Sequence, residues 1–192
     1  MDTGPKKELL RFLSEDVRSG DITSALLTKK KIMTKIISRQ QGVIAGIKFV
    51  KNLFQLKGCT VKSFVKDCDK VKQNQKILQV SGSTQSVLSC ERTALNLLSR
   101  MSGIATQTSF LVSKIRKVSK KTNLYSTRKT APGLRIFDKE AVKIGGGHKH
   151  RMALDEMIMI KDNHLALCNS MEDIIKQARK KRKRVESVNL LQ

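Results

Sequence analysis

Three short polar clusters hold most of the residues whose types could do chemistry. The first, Ser126-Thr127-Arg128-Lys129-Thr130, follows an apolar stretch and precedes Pro132-Gly133. The second, Gly145-Gly146-Gly147-His148-Lys149-His150-Arg151, joins a glycine run to two histidines and an arginine. The third, Ile160-Lys161-Asp162-Asn163-His164, is a polar burst ending an apolar stretch. Guanidinium groups make paired, charge-assisted hydrogen bonds to carboxylates and phosphates, whereas ammonium groups act as point charges. Backbone N–H groups of a glycine run can approach an anion closely. Arg128, Lys129, His150, Arg151 and Lys161 together suit a ligand with several carboxylates or phosphates. Arg92, in Glu91-Arg92-Thr93-Ala94-Leu95-Asn96, is a fourth candidate, on a helix.

Each cluster has a plainer rival. A lone Gly-Gly-Gly is more often a flexible loop than a phosphate cradle. His148 and His150 have no third His, Cys or paired carboxylate at metal spacing, so no metal residue is assigned. An arginine on a helix is ordinarily solvated or ion-paired. The run Lys180-Lys181-Arg182-Lys183-Arg184 reads as a solvated helix end whose cations favour the helix dipole. Convergence favours function. Three clusters at comparable places, each after a short apolar stretch, place cations where parallel α/β folds bind ligands.

The elements that must position these clusters are legible in part. Leu9, Leu10, Leu13 and Val17 fall on one helical stripe between Lys6 and Val17, and Gly20-Asp21 marks a turn. Ile32–Ser38 is β-branched and predicts a strand; Gly42–Gly46 predicts a short apolar element. Ile47, Val50, Leu53 and Phe54 recur at helical spacing, with Gly58 placed for a left-handed cap. Val61–Val65 and Lys76–Val80 predict two more strands. A long helix follows from Thr84, carrying Val87, Leu88, Leu95, Leu98 and Met101, with an interruption expected at Gly103 and helical phase resumed by Phe110, Ile115 and Val118. Thr122–Ser126, Met157–Ile160 and Val185–Val188 then predict strands, with a helix over Met171, Ile174, Ile175 and Ala178. Ala141–Ile144 is too short to assign. The expected architecture is an α+β N-terminal domain with a long linking helix over 1–106, then the first part of an α/β barrel, built of TIM-like βα units, over 107–192.

The 192 residues carry 39 Lys+Arg against 16 Asp+Glu, a formal charge of +23, with a sequence pI near 10.3. A hydrophobic share of 39% supports a core and argues against general disorder. No apolar run approaches the ~18 residues of a membrane span, and the polar start has no signal-peptide core, so a soluble cytoplasmic chain is expected. Cys59, Cys68, Cys90 and Cys168 form no C-x-x-C pair, which argues against a zinc ribbon, redox motif or disulfide scaffold. The charge fits polyanionic ligands or nucleic acid. With one Tyr, no Trp and no recognition-helix signature, nucleic-acid binding is expected only as an added activity.

These motifs resemble the quinolinate phosphoribosyltransferase family. The matching text is E-D-V-R-S-G-D-I-T near the start, G-V-I-A-G, and E-R-T-A-L-N-L-L-S-R-M-S-G-I-A-T from Glu91 to Thr106. It continues in T-R-K-T-A-P-G-L-R from Thr127, A-V-K-I-G-G-G-H-K-H-R from Ala141, and I-K-D-N-H-L ending at Leu165. A molybdenum-transport-associated paralogue shares part of this text and is the alternative, as is a basic nucleic-acid-binding fragment. I-K-D-N-H favours the quinolinate enzyme.

The resemblance implies transfer of phosphoribose from phosphoribosyl pyrophosphate to quinolinate with decarboxylation, giving nicotinate mononucleotide, with Mg²⁺ accompanying the donor. It implies that Arg128 and Arg151 hold the two carboxylates, with His150 and Lys161 beside them. Lys129 would contact the donor with Thr127 in support, and Arg92 would reach the ligand from a neighbouring subunit of a homodimer or larger assembly. Lys129, Lys161 and Glu186 are the implied catalytic residues, Glu186 being the nearest match to a family glutamate. Lys149 and Ala153 depart from the family pattern. A complete barrel takes about 250 residues, and Thr122 to Gln192 holds two to three βα units of it. The expectation is therefore a C-terminally truncated enzyme with an open parallel edge, uncovered Met157, Met159, Val185 and Val188, and no transfer by the chain alone.

Overall fold

β-Branched residues at alternating exposure build the first sheet. In the computed structural model, which describes residues 4–168, 170–181 and 188–190, Lys31–Ile37 forms β1 with strictly alternating burial. It follows helix α1 (Pro5–Val17) and a short 3₁₀ turn (Ser24–Leu26). Asp21 sets up that turn, accepting hydrogen bonds from the Ser24 backbone N–H at 3.0 Å and from the Ser24 hydroxyl. These bonds favour its ionised form and hold its pKa below the usual carboxylate value. Then come β2 (Gly42–Val43), α2 (Ile47–Leu56), β3 (Thr60–Ser63), β4 (Lys70–Val71) and β5 (Lys76–Ser83). The three longer strands make an antiparallel sheet in the order β1-β5-β3, and β2 pairs with β4.

Helix α3 (Thr84–Val118) is a single helix of 35 residues, capped by the Ser83 hydroxyl, which accepts from the Ser86 N–H at 3.1 Å. The interruption expected at Gly103 does not occur. A helical glycine costs only about 1 kcal/mol relative to alanine, and Leu97, Leu98, Met101, Ala105 and Thr108 are buried on both sides of it. The sheet's inner face, α1, α2 and α3 enclose one core containing Leu9, Val50, Leu53, Phe54, Leu78, Val80, Cys90 and Met101. Leu10 is not part of it; at 48% exposure it has left the stripe that Leu9 and Leu13 keep.

Arg135–Ile144 forms α4, so the unassigned Ala141–Ile144 is the end of a helix that packs on α3 through Phe137 and Ala141. Of the strand expected over Thr122–Ser126, the structure keeps one parallel bridge, Tyr125 to His148. Beyond it lie β6 (Ile158–Ile160), a one-turn helix α5 (Asp162–Leu165), α6 (Met171–Lys181) and β7 (Val188–Leu190). Strands β6 and β7 pair in parallel, Ile158 to Val188 and Ile160 to Leu190, with α6 as the crossover between them. Residues 185–187 of the expected last strand lie outside the described residues.

The chain divides into two compact units. One comprises the described residues up to Ser126 together with Thr130–Lys149; the other comprises Thr127–Lys129 together with the described residues from His150 onward. Antiparallel sheet and long helix characterise the first, and a parallel βαβ crossover characterises the second. The fold is mixed α/β. Among the described residues no helix is long and apolar enough to cross a membrane.

Candidate functional site

The second unit gathers Thr127, Arg128 and Lys129 with His150, Arg151 and Lys161, although the segment between the two groups belongs to the first unit. Backbone pairing explains how. The Ser126 N–H donates to the His148 carbonyl at 2.9 Å and the His148 N–H to the Leu124 carbonyl at 2.8 Å. The two segments therefore leave the first unit at adjacent points.

Burial separates these cations. Arg151 is 6% exposed, and its Nη1 donates to the Met157 carbonyl at 2.8 Å, anchoring the guanidinium just before β6. Arg128 is half-buried, and its Nε is buried without a hydrogen-bond acceptor among the described residues. An N–H left unmet in that way costs free energy unless a ligand supplies the acceptor. Lys129 is exposed and donates its backbone N–H to the Thr127 hydroxyl at 3.1 Å, which shapes the turn. His150 is half-buried. Lys161 is exposed at the start of α5, its backbone N–H donating to His164 Nδ1 at 2.9 Å. Glu186 lies outside the described residues.

The glycine run does not cradle an anion. The Gly145, Gly146 and Gly147 N–H groups donate to the carbonyls of Ala141, Lys143 and Val142 at 2.9, 3.0 and 2.9 Å, ending α4. Close packing explains the residue type: a Cβ on Gly145 would meet the Ala105 carbonyl oxygen at 2.5 Å, and one on Gly147 would meet Val142 at 2.8 Å. Gly146, at φ +92°, takes the left-handed backbone that such a helix end needs. The run is a helix cap pressed against α3.

Arg92 stands in the first unit, exposed on α3. With Glu91, Asn96, Ser99, Arg39 and Gln41 it lines a cleft of about 640 Å³ within that unit. Sequence reasoning missed a second arginine on the same helix. Arg100 grips Asp138 of α4 with two hydrogen bonds, at 2.7 and 2.9 Å, and that bonding raises the guanidinium's pKa further. Asp138 is buried, and beside it Lys139 is fully buried. The signal was present: Phe137, Ala141 and Ile144 follow i, i+4, i+7 spacing once the window reaches back to Arg135. Among the described residues, no three His, Cys, Asp or Glu side chains gather where a metal ion could be held.

Fold and site together define a mixed α/β protein whose second unit groups Arg128, Lys129, Arg151 and Lys161. Two family models match the chain: the N-terminal domain of quinolinate phosphoribosyl transferase over residues 21–102, and its C-terminal domain over residues 104–190. A probable nicotinate-nucleotide pyrophosphorylase (carboxylating) of Archaeoglobus fulgidus is 42% identical over 167 residues, covering 87% of this chain and 64% of that protein. The Bacillus subtilis protein of the same description is 39% identical over 177 residues, covering 91% and 61%. The crystal structure of NadC from Streptococcus pyogenes superposes with a TM-score of 0.90 at 34% identity, over 99% of this chain and 68% of that one. The chain belongs to the quinolinate phosphoribosyl transferase family. It spans 61–64% of the length of the curated relatives named here.

Proposed function

We propose that this protein binds quinolinate and phosphoribosyl pyrophosphate and serves phosphoribosyl transfer to the pyridine nitrogen, with loss of carbon dioxide and pyrophosphate to give nicotinate mononucleotide. The observation that carries this reading is the buried Nε of Arg128, unmet among the described residues, in the same unit as the buried Arg151. Two planar guanidinium groups suit the two carboxylates of a pyridine dicarboxylate better than ammonium groups would. In this proposal Arg128 and Arg151 hold the carboxylates, His150 and Lys161 stand beside them, and Lys129, supported by Thr127, meets the donor. The relatives' names, nicotinate-nucleotide pyrophosphorylase (carboxylating), support the choice of reaction.

The chemistry asks for charge more than for a general base. As the carbon–oxygen bond to pyrophosphate breaks, the sugar carbon becomes cationic and the pyridine nitrogen takes its place on that carbon. Lys129 and Lys161 act here as fixed positive charges beside anionic groups, stabilising charge where it develops, and Glu186 is assigned to the developing cation. Mg²⁺ would neutralise the leaving pyrophosphate. Among the described residues no three His, Cys, Asp or Glu side chains gather to hold the ion.

Residues 107–192, with the parallel β6–β7 pair, are the first part of an α/β barrel in this reading, and 1–106 is the domain that carries Arg92. Arg92, facing its cleft, reaches the ligand of a neighbouring subunit, so the working unit is a homodimer or a larger assembly. Calorimetric titration with quinolinate and with the monocarboxylate nicotinate tests the proposal. The second carboxylate should make quinolinate about tenfold tighter or better, the worth of a charge-assisted hydrogen bond. Equal affinity for the two pyridines rejects the roles of the arginines.

A further inference from the structure

The solvent face of the antiparallel sheet carries charge to which the proposed transfer gives no role, although Lys35 on its outer strand also lines the Arg92 cleft. Lys31, Lys35 and Lys62 are exposed on it and Lys76 is half-buried. Register makes these a plane rather than a scatter. Lys35 and Lys62 pair with Gln79 from opposite sides, and Met33 and Thr60 pair with Ser81 in the next row. At the strand spacing of about 4.8 Å, the Lys35 and Lys62 backbones lie roughly 10 Å apart. Phe64 follows β3 and is 42% exposed, with the Lys76 ammonium 4.4 Å and the Lys62 ammonium 5.6 Å from its ring centroid. None of the three strands contains an Asp or Glu. The carboxylates nearest in sequence are engaged with backbone: Asp67 accepts from the Gly46 and Ile47 N–H groups at 2.8 and 2.9 Å, and Asp69 from Lys66 at 2.9 Å.

We propose that this face binds single-stranded nucleic acid. Four ammonium groups on one open surface, with no carboxylate among them, are complementary to a polyanion. The central strand of the face carries Gln79 and Ser81, which hydrogen-bond, flanked by Thr60 on one side and by the exposed Met33 on the other, so vesicle binding is kept as an arm of the test. Phe64 supplies a half-exposed ring that an unpaired base reaches when the Lys76 ammonium above it turns to a phosphate, which favours a single strand over a duplex whose bases are already stacked. Lysines separated by up to 45 positions in the chain are brought together only by strand pairing.

Fluorescence anisotropy with labelled oligo(U) and oligo(dT) of about 16 nucleotides tests this, the two arms separating RNA from DNA. Binding is expected at about 50 mM salt, weakening with a log–log slope near −0.7 per phosphate neutralised. Lys35→Gln with Lys62→Gln should weaken it roughly five- to tenfold and flatten that slope by about 1.4. Phe64→Ala should weaken binding with the slope unchanged, and Lys35→Arg with Lys62→Arg should retain it, provided circular dichroism shows each variant folded. Lys117→Gln with Lys120→Gln, at the far end of α3, should leave it unchanged. The proposal is overturned by any of four results: no binding at low salt, a duplex of equal length bound more tightly, equal weakening by the α3 pair, or phosphatidylserine vesicles bound through Lys35 and Lys62 in place of either oligonucleotide.

Discussion

Arg151 is 6% exposed and tied through its guanidinium to Met157, whereas Lys35 and Lys62 stand in solvent on either side of Gln79. Both regions are cationic, and they differ in burial, which suits them to different ligands in the two roles proposed above. A buried guanidinium has already given up water, so it gains most from a small anion of fixed geometry. Exposed ammonium groups keep their water and their rotamer freedom, and act through summed field on a long, adaptable polyanion. The second unit has the first construction and the sheet of the first unit has the second. Net charge counts both regions alike; burial tells them apart.

The largest effect that would sharpen this contrast comes from splitting the proposed small-ligand site between subunits. In the full-length enzyme, Arg92→Ala and Arg128→Ala proteins should each be inactive in phosphoribosyl transfer. Mixed in a two-fold dimer at random, they should regain about one quarter of the intact sites. Hybrid dimers that form without regaining activity would return Arg92 to its own subunit's surface and leave the second unit alone with the ligand.

Next in size is Arg151→Ala, which should weaken quinolinate binding by roughly 10- to 150-fold, about 1.5–3 kcal/mol. The same calorimetry on Lys31→Gln with Lys62→Gln, neither of which lines the Arg92 cleft, should show no change. If both variants weaken quinolinate equally, the two regions are one diffuse field and the distinction by burial fails.

Packing around the helix cap gives a comparable but purely structural effect. Gly145→Ala would drive a methyl to 2.5 Å from the Ala105 carbonyl oxygen and should lower stability by about 1–3 kcal/mol, read as the urea midpoint. A neutral result would restore the glycine run as a loose loop, free to bind an anion. At neutral pH the smallest effect belongs to Cys90. Burial pushes its thiol from an ordinary 9.0 up to about 11, so the folded state holds a proton that the unfolded chain releases. That contribution is fully present below pH 9 and is lost as pH rises towards about 11, and Cys90→Ala should make the decline over this window shallower. Equal slopes in wild type and variant would show that Cys90 titrates normally in the core that both α3 and the sheet rely on.

Local elements were legible where one residue pattern left one solution. Ile47, Val50, Leu53 and Phe54 at helical spacing, with Gly58 after them, are the α2 that the structure contains, Gly58 taking φ +75°. Elements decided by partners were not. Leu10 matches Leu9 and Leu13 in type and period, and only the position of the neighbouring helices leaves it exposed. Gly103 reads as a break because its local propensity is poor, and the packing of α3 overrides that. Arg100 has no role legible in the sequence, because its partner Asp138 lies on a helix too short to recognise from Ala141–Ile144 alone.

Residue type and motif order determined the family and the cationic character of T-R-K-T, H-K-H-R and I-K-D-N-H. Those properties are local and covalent, and a linear text preserves them. Tertiary structure decided which donors are spoken for. It gave the glycine N–H groups to the end of α4, left the Arg128 Nε unmet among the described residues, and set lysines from three strands on one face. Hydrogen-bond satisfaction, burial and strand register are relations between residues distant in sequence, and each exists only once the chain has folded.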